Sequence, residues 1–178
     1  ATVGAGIIAP ARSWSKSIDS ILHDGYMRIA TTGLDTHYNF TDQNGNLTGF
    51  DMDWSRLICR ELGVEARFTR LPWHGILPGL LAGQFDGVMS AVRVTPERAA
   101  SFTFSAPYTT DSATIIVRSN DDAIHDIQDL KGRVVGVPSG SIFEQIANDM
   151  AHAGTVQTYP GRPDVFMALL SNRLDAAI

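Results

Sequence analysis

The chain has 178 residues, of which 44% are hydrophobic and 19% are charged, and its formal net charge is -5 at pH 7. This length suffices for one domain or two small lobes with a sizeable core, and the composition is typical of a globular protein. The acidic balance and the scattered basic residues argue against nucleic acid or an anionic membrane as partners, and no apolar stretch approaches the roughly 18 residues of a spanning helix.

The reactive residue types predict neither a metal site nor a cofactor. Cys59 is the single cysteine, and its setting in SRLICREL favours a small core residue on a helix over a reactive thiol. The five histidines are not closely paired with one another or with this cysteine, which argues against a metal centre. The sequence contains no P-loop, no His-Glu-x-x-His and no complete dinucleotide fingerprint.

The N-terminal part of the chain begins without strong patterning. Residues 1–16 are mostly small, and we expect them to form a mobile arm. Helical spacing of apolar residues follows and ends at Gly25, after which the first strand is predicted over residues 27–31. The Asn44-Gly45 pair between two short stretches is a strong hairpin signal.

Strands and helices alternate after this hairpin. A helix capped by Asp51 or Asp53 is predicted to end at Gly63, with a buried face formed by Trp54, Leu57, Ile58 and Leu62. A strand over VEARFT, a third helix ending at Gly83 and a strand over residues 85–89 follow. This alternation favours an α/β fold with mainly parallel, doubly wound sheets.

The pattern restarts in the last third of the chain. A β-branched strand is predicted over residues 112–118, and the polar stretch after it marks a linker. We place a lobe boundary near residues 117–121, so that 17–117 form lobe one and 118–178 form lobe two. The elements predicted in lobe two are a short helix at 127–130, a strand at 133–137, a helix carrying Ile142, Ile146 and Met150, a strand at 156–159, a helix at 164–171 and a strand at 174–178.

The segment FDGVMSAVRVTPER contains the strongest candidate binding residues. Thr95 and Pro96 are a hydroxyl N-cap and a proline at the first helical position, which predict a helix start. Arg98 then lies within one turn of a helix N-terminus, where its planar guanidinium and the Ser90 hydroxyl would suit a carboxylate. The alternative is that Arg98 is a solvated first-turn arginine and that Thr95 is only a cap.

Three segments carry a family resemblance, which extends from about Ser17 to Ile178. LTGFDMDWSRLICRELGV, the segment ending in TPER, and FSAPY resemble motifs of the bacterial family 3 solute-binding proteins, the amino-acid-binding components of ABC importers. The resemblance implies a two-lobed periplasmic-binding-protein fold of type II. It also implies an exported periplasmic monomer, with its signal peptide removed, that captures a small carboxylate-bearing solute for an ABC permease in the inner membrane.

The resemblance assigns roles to particular positions. The family arginine after TPE grips the ligand α-carboxylate, and the family serine that accepts the ligand amino group corresponds to Ser90. His37 and Trp73 fall where the family has stacking aromatic residues, although a solvated His37, a core Trp73 and a structural Ser90 remain open alternatives. Loops at the carboxyl ends of the predicted strands complete the expected ligand-binding set with Ala91, Arg93, Arg98, Gly140, Ser141 and Ile142.

Two of these positions depart from the family pattern. Arg93 stands where amino-acid binders usually have a small hydroxyl, and it either points a second cation into the cleft or extends away from it. Ile142 replaces a threonine that binds the carboxylate, so Ser141 is expected to take that role alone. If Arg93 points into the cleft, the ligand is expected to carry a second acidic group. Both changes weaken the case for a standard α-amino-acid ligand.

Two alternatives to a transport protein remain. Cyclohexadienyl or arogenate dehydratases share the fold, and ATTG at residues 30–33 is similar to their opening. Their catalytic glutamate follows a GGT-like turn, where this chain has Phe143, with Glu144 one residue later, so we expect no enzyme. The second alternative is a ligand-sensing module of a membrane receptor.

The last residues resemble a segment that lies well inside the family pattern. LLSNRLDAAI is similar to LxxGRVDAxxxD, after which family members supply an acid to the ligand amine and return to lobe one. On this resemblance, the chain is expected to lack its C-terminal return segment.

Overall fold

A computed structural model describes residues 16–110, 112–150 and 152–178. The predicted mobile arm lies outside these residues except for Lys16, which pairs with Asp24. None of the helices in the described ranges is long and apolar enough to cross a membrane.

The part of the chain up to residue 99 forms a parallel sheet and a small antiparallel one. Its elements are α1 (Ile18–Asp24), β1 (Tyr26–Thr31), β2 (Leu34–Asp35), β3 (Asn39–Thr41), β4 (Leu47–Thr48), α2 (Phe50–Leu62), β5 (Glu65–Arg70), α3 (Trp73–Leu81), β6 (Gly87–Val88) and α4 (Pro96–Ala99). The parallel sheet has the order β5-β1-β6, and β2, β3 and β4 pair antiparallel. The predicted hairpin turn joins β3 to β4, where the Asp42 carboxylate accepts hydrogen bonds from the backbone N–H of Asn44 and Asn46.

The later part of the chain repeats the parallel arrangement. Its elements are a 3-10 helix (Ile127–Leu130), β7 (Val134–Pro138), α5 (Ile142–Gln145) continued by a π-helical turn (Ile146–Met150), β8 (Thr155–Tyr159), α6 (Arg162–Leu170) and β9 (Ala176–Ala177). The order of this sheet is β8-β7-β9, again with parallel pairs. The prediction of an α/β fold with mainly parallel sheets is confirmed, whereas the division at residues 117 and 118 stays a prediction.

The hydrophobic core of this later part of the chain is packed closely around β7. Val135 and Val137 are fully buried with Leu130 and Ala176. A Cβ atom on Gly136 would lie 2.2 Å from a Leu174 methyl carbon, so glycine lets α6 and its following loop approach the central strand without a shift of the Leu174 side chain. This close packing fixes the loops that leave the carboxyl ends of β7 and β8.

The predicted cap of α2 is wrong, and its predicted buried face is wrong at Trp54 and Ile58, whereas Leu57 and Leu62 are half-buried. The helix begins after Gly49, and Asp51 is buried in its first turn instead of capping it. Its buried face carries Met52, Ser55 and Cys59, while Trp54 and Ile58 are 39% and 40% exposed. Apolar residues occupy two stripes of this helix, and only the packing of α2 against β1 and β5 decides which stripe is buried.

The predicted strand at residues 112–118 is also wrong. Ile116 alone pairs there, in an isolated antiparallel bridge with Ala177 of β9. A β-branched sequence forms a ladder only where a partner strand is long enough, and β9 has two residues.

Candidate functional site

Loops from the two parallel sheets surround one cavity of about 290 Å³. The loops follow β1, β6, β7 and β8, so the cavity lies at the carboxyl ends of parallel strands, where α/β proteins bind their ligands. Eight of the nine predicted binding residues line it: His37, Trp73, Ser90, Ala91, Arg93, Arg98, Ser141 and Ile142. The structure thus brings together residues that are up to 105 positions apart, which is the separation of His37 and Ile142.

Gly140, the ninth predicted residue, does not line the cavity but connects its two sides. Its carbonyl oxygen accepts hydrogen bonds from Trp73 Nε1 at 3.1 Å and from Arg98 Nη2 at 3.5 Å. Its backbone N–H donates to the Glu144 carboxylate at 3.0 Å. Gly140 has a φ of 69°, a conformation that favours glycine, so this turn shapes the contact between the two halves.

Arg98 is one of three arginines that line the cavity. Thr95 caps α4 by accepting from the Arg98 backbone N–H, as predicted, and this fixes the start of the arginine side chain. The guanidinium donates to the Arg93 carbonyl oxygen at 3.0 Å and lies 5.3 Å from the centre of the Trp73 ring. Among the described residues it forms no ion pair with a carboxylate.

The electrostatic consequence of this placement is a site for an anion. Burial lowers the pKa of the Arg98 guanidinium below its usual value; the Glu97 carboxylate opposes this shift, and nearby Arg93 adds to it by a smaller amount. A group whose charge is disfavoured in this way gains most from a partner of opposite charge. The geometry therefore favours an anionic ligand group between Arg98 and the opposite side of the cavity.

Arg93 lies at the cavity wall. Its guanidinium carbon is 4.7 Å from the centre of the Phe143 ring, and its Nη2 donates to the Ser112 carbonyl oxygen at 3.3 Å. The side chain also borders a second cavity of about 220 Å³, which contains Ser112 and Phe143 as well. Arg93 therefore reaches from one half of the chain to the other along the cavity.

Ser90 lines the cavity and belongs to a network of hydrogen-bonded polar groups. It is 8% exposed, and its hydroxyl accepts from the Thr32 backbone N–H at 3.1 Å. The Thr32 hydroxyl in turn donates to Asn39 Oδ1 at 2.8 Å. These bonds hold the loops after β1 and β6 together at the cavity.

Asp51 is the residue of this network that sequence reasoning placed incorrectly. Its Oδ2 accepts from Asn39 Nδ2 and from the Ala91 backbone N–H, each at 2.9 Å, and its Oδ1 accepts from the Tyr108 hydroxyl at 2.8 Å. Burial raises the pKa of this carboxyl. Ala91 has a φ of 46°, and the bond to Asp51 holds this unfavourable conformation. Had the helix start been placed after Gly49, Asp51 would have been recognised as too far inside to cap it.

The predicted donors of Ser141 are engaged within the protein. The Ser141 hydroxyl donates to the Pro138 carbonyl oxygen at 2.6 Å, and its backbone N–H donates to the same atom at 3.2 Å. A ligand carboxylate would have to replace one of these bonds. His37 is exposed, whereas Trp73 is half-buried at the start of α3 with its indole directed to Gly140.

An ion pair between Asp35 and Arg162 closes one side of the cavity and was not predicted. Arg162 Nη1 lies 2.5 Å from Asp35 Oδ2, and both residues line the cavity. No local pattern connects them, because they are 127 positions apart.

Comparison with known proteins identifies the family of the chain. The sequence profile of the bacterial extracellular solute-binding proteins, family 3, matches residues 27–178. The chain belongs to this family. The family and the type II periplasmic-binding-protein fold predicted from the sequence are confirmed, the latter by solved relatives of the same architecture.

Two curated relatives and two solved structures illustrate the similarity. The L-cystine-binding protein TcyJ of Escherichia coli (strain K12) is 29% identical over 162 residues, covering 90% of this chain and 61% of the relative. The histidine-binding periplasmic protein of the same strain is 28% identical over 153 residues, covering 85% and 59%. The ancestral amino acid-binding protein AncCDT-1, a precursor of cyclohexadienyl dehydratase, is 37% identical with a TM-score of 0.84, covering 90% and 72%. Holo ArgBP from T. maritima is 31% identical with a TM-score of 0.86, covering 90% and 71%.

The chain spans about 61% of the length of TcyJ. The curated relatives described here are binding proteins by name, and one of them is named as periplasmic.

Proposed function

We propose that this protein captures a small carboxylate-bearing solute, an amino acid or a relative of one, and delivers it to an ABC permease in the inner membrane. It acts as a periplasmic monomer, exported with removal of its signal peptide. The observation that carries the proposal is the half-buried Arg98 guanidinium, which faces the cavity without a carboxylate partner among the described residues. Membership in the family supports the transport role.

The mechanism is closure of the two lobes on the ligand. Contacts already cross the cavity, from Trp73 to Gly140 and from Arg162 to Asp35. A ligand that touches both sides binds the closed state better than the open one, and this difference in affinity shifts the population. The anchor is Arg98, and Ser90 and the stacking side chains of Trp73 and His37 orient the rest of the ligand.

A ligand screen on the intact protein tests this proposal. We expect at least one amino acid, dicarboxylate or opine-like compound to raise the melting temperature, because a ligand that binds only the folded state stabilises it. The amide of that ligand, which lacks the carboxylate, serves as the matched control and is expected to lose most of the shift. A screen in which amides and carboxylates shift the melting temperature equally would contradict the role of Arg98.

Arg93 is expected to favour ligands with a second acidic group. Replacing Arg93 with serine, the small hydroxyl typical of the family, should lower the ratio of L-glutamate to L-glutamine affinity about tenfold, or about 1.4 kcal/mol. The Arg93→Lys variant keeps the charge and is expected to keep most of that preference. If calorimetry finds the same ratio of L-glutamate to L-glutamine affinity in the wild type and in Arg93→Ser, this role of Arg93 is wrong.

The dehydratase alternative is favoured by one observation, the similarity to AncCDT-1. At the corresponding turn, however, Phe143 lines the cavity, while Glu144 bonds to the Gly140 backbone N–H. A carboxylate held in this way is poorly placed as a general acid for a ligand. When the protein is incubated for hours with prephenate or arogenate, we expect chromatography to detect neither phenylpyruvate nor phenylalanine. Product formation above that in a buffer control would instead establish dehydratase activity.

A further inference from the structure

The Asp35 and Arg162 ion pair is part of the wall that a ligand meets. Asp35 lies in β2, and Arg162 is the first residue of α6 on the opposite side of the cavity. Among the described residues that line the cavity, Asp35 is the one acidic side chain, beside the three arginines Arg93, Arg98 and Arg162.

Asp35 is the fixed member of the pair. Its Oδ1 accepts hydrogen bonds from the backbone N–H groups of His37 and Tyr38 at 3.1 and 3.3 Å. Its side chain is 15% exposed, whereas that of Arg162 is 47% exposed. The position of the carboxylate is therefore set by its own loop, and the longer arginine reaches over to it.

The Asp35 carboxylate would attract a different ligand group if Arg162 did not pair with it. A carboxylate in a cavity wall is a natural partner for a ligand ammonium or guanidinium group. In this protein Arg162 occupies Oδ2, so a cationic ligand side chain has to displace it and leave its guanidinium without that partner. A neutral or acidic side chain meets no such penalty and also lies near the positive charge of Arg93 and Arg98.

We propose that Arg162 is a specificity-determining residue, which covers Asp35 and thereby excludes ligands with a cationic side chain. The inference rests on the proposed function, because it names the ligand class of the same cavity. It is independent of the role of Arg93, since Arg162 acts by removing a negative site and not by attracting an acid.

Calorimetry on the intact protein with L-glutamate, L-glutamine and L-arginine tests the inference. We expect Arg162→Gln to raise the affinity for L-arginine relative to L-glutamate at least tenfold, because the variant uncovers Asp35. The double variant with Asp35→Asn is expected to lose this gain. The exposed Arg173 lies outside the cavity lining, and Arg173→Gln is the matched control that should leave the ratio unchanged.

The outcomes separate this inference from the proposed function. If amino acids bind but the arginine-to-glutamate ratio stays within twofold in Arg162→Gln, the inference is wrong. It is also wrong if all three probes weaken equally, since the pair would then serve closure and not selection. If none of the amino acids, dicarboxylates and opine-like compounds of the ligand screen binds the wild type or the variant, the proposed function fails and the inference with it. Should Arg162→Gln fail to fold by circular dichroism, Asp35→Asn alone decides: it should raise L-glutamate affinity relative to L-arginine, and an unchanged ratio overturns the inference.

Discussion

Replacing Arg98 with alanine is expected to weaken binding of the carboxylate ligand by about 2 to 5 kcal/mol, because the ligand charge is then buried in the closed cavity without its partner. The same change should affect the ligand-free fold little. Arg98 is half-buried, and burial of its charge works against its hydrogen bonds to the Arg93 and Gly140 carbonyl oxygens. The Arg98→Ala variant is therefore expected to lose ligand affinity while it keeps most of its free energy of unfolding.

Two variants make the Arg98 result specific. Arg98→Lys keeps the charge but loses the planar fork, and an intermediate loss is expected. Arg60 is an exposed arginine on α2, and Arg60→Ala should change neither affinity nor stability by more than about 0.5 kcal/mol. Calorimetry and urea unfolding of the same preparations supply both quantities. A dissociation constant unchanged by Arg98→Ala would disprove the anchor.

Replacing Asp51 with alanine is expected to lower the free energy of unfolding by about 3 kcal/mol. The variant leaves the Asn39 amide, the Ala91 N–H and the Tyr108 hydroxyl without this acceptor, and an unpaired buried group such as the Asn39 amide costs roughly 1 to 3 kcal/mol, partly offset by removal of a buried charge. Ala91 would also lose the bond that holds its φ of 46°. Ser90, a proposed ligand-binding residue, directly precedes Ala91, so we expect ligand affinity to fall about tenfold when this loop loses its support.

Asp51→Asn is the matched control for this network. One amide oxygen can still accept from Asn39 and Ala91, while the amide nitrogen faces the Tyr108 hydroxyl, so most stability and affinity should be retained. Urea unfolding and calorimetry with the same ligand compare the two variants. Equal losses in Asp51→Ala and Asp51→Asn would show that the charge, and not the pattern of acceptors, matters.

The pH dependence of stability supplies an independent check on Asp51. Burial raises the pKa of its carboxyl, so the fold favours the protonated form more than the unfolded chain does. This contribution is complete below the unfolded pKa of about 4 and is lost as pH rises through the higher folded pKa. The stability of the wild type relative to Asp51→Asn should therefore decline as pH rises above about 4.

The sequence by itself determined the features that depend on neighbouring residues. The Thr95-Pro96 helix start, the Asn44-Gly45 turn and the alternation of strands and helices were all present in the folded chain. Such signals act over a few residues, because a cap, a turn or a periodic face involves the chain next to it. The family motifs around Arg98 added the position of the cavity, at which eight of nine predicted residues lie.

Only the tertiary structure decided which distant groups meet. Asp51 lies in an apparent cap position, yet it receives bonds from residues 12, 40 and 57 positions away. The buried stripe of α2 was likewise chosen by the strands it packs against, since Trp54 and Met52 are both apolar. The Asp35 and Arg162 pair joins β2 to the start of α6, and no local signal connects the two residues, because each is an ordinary charged residue until the fold brings them to one cavity. Burial and pairing are properties of the assembled fold, and for that reason the polar groups that shape this site could not be assigned from the chain alone.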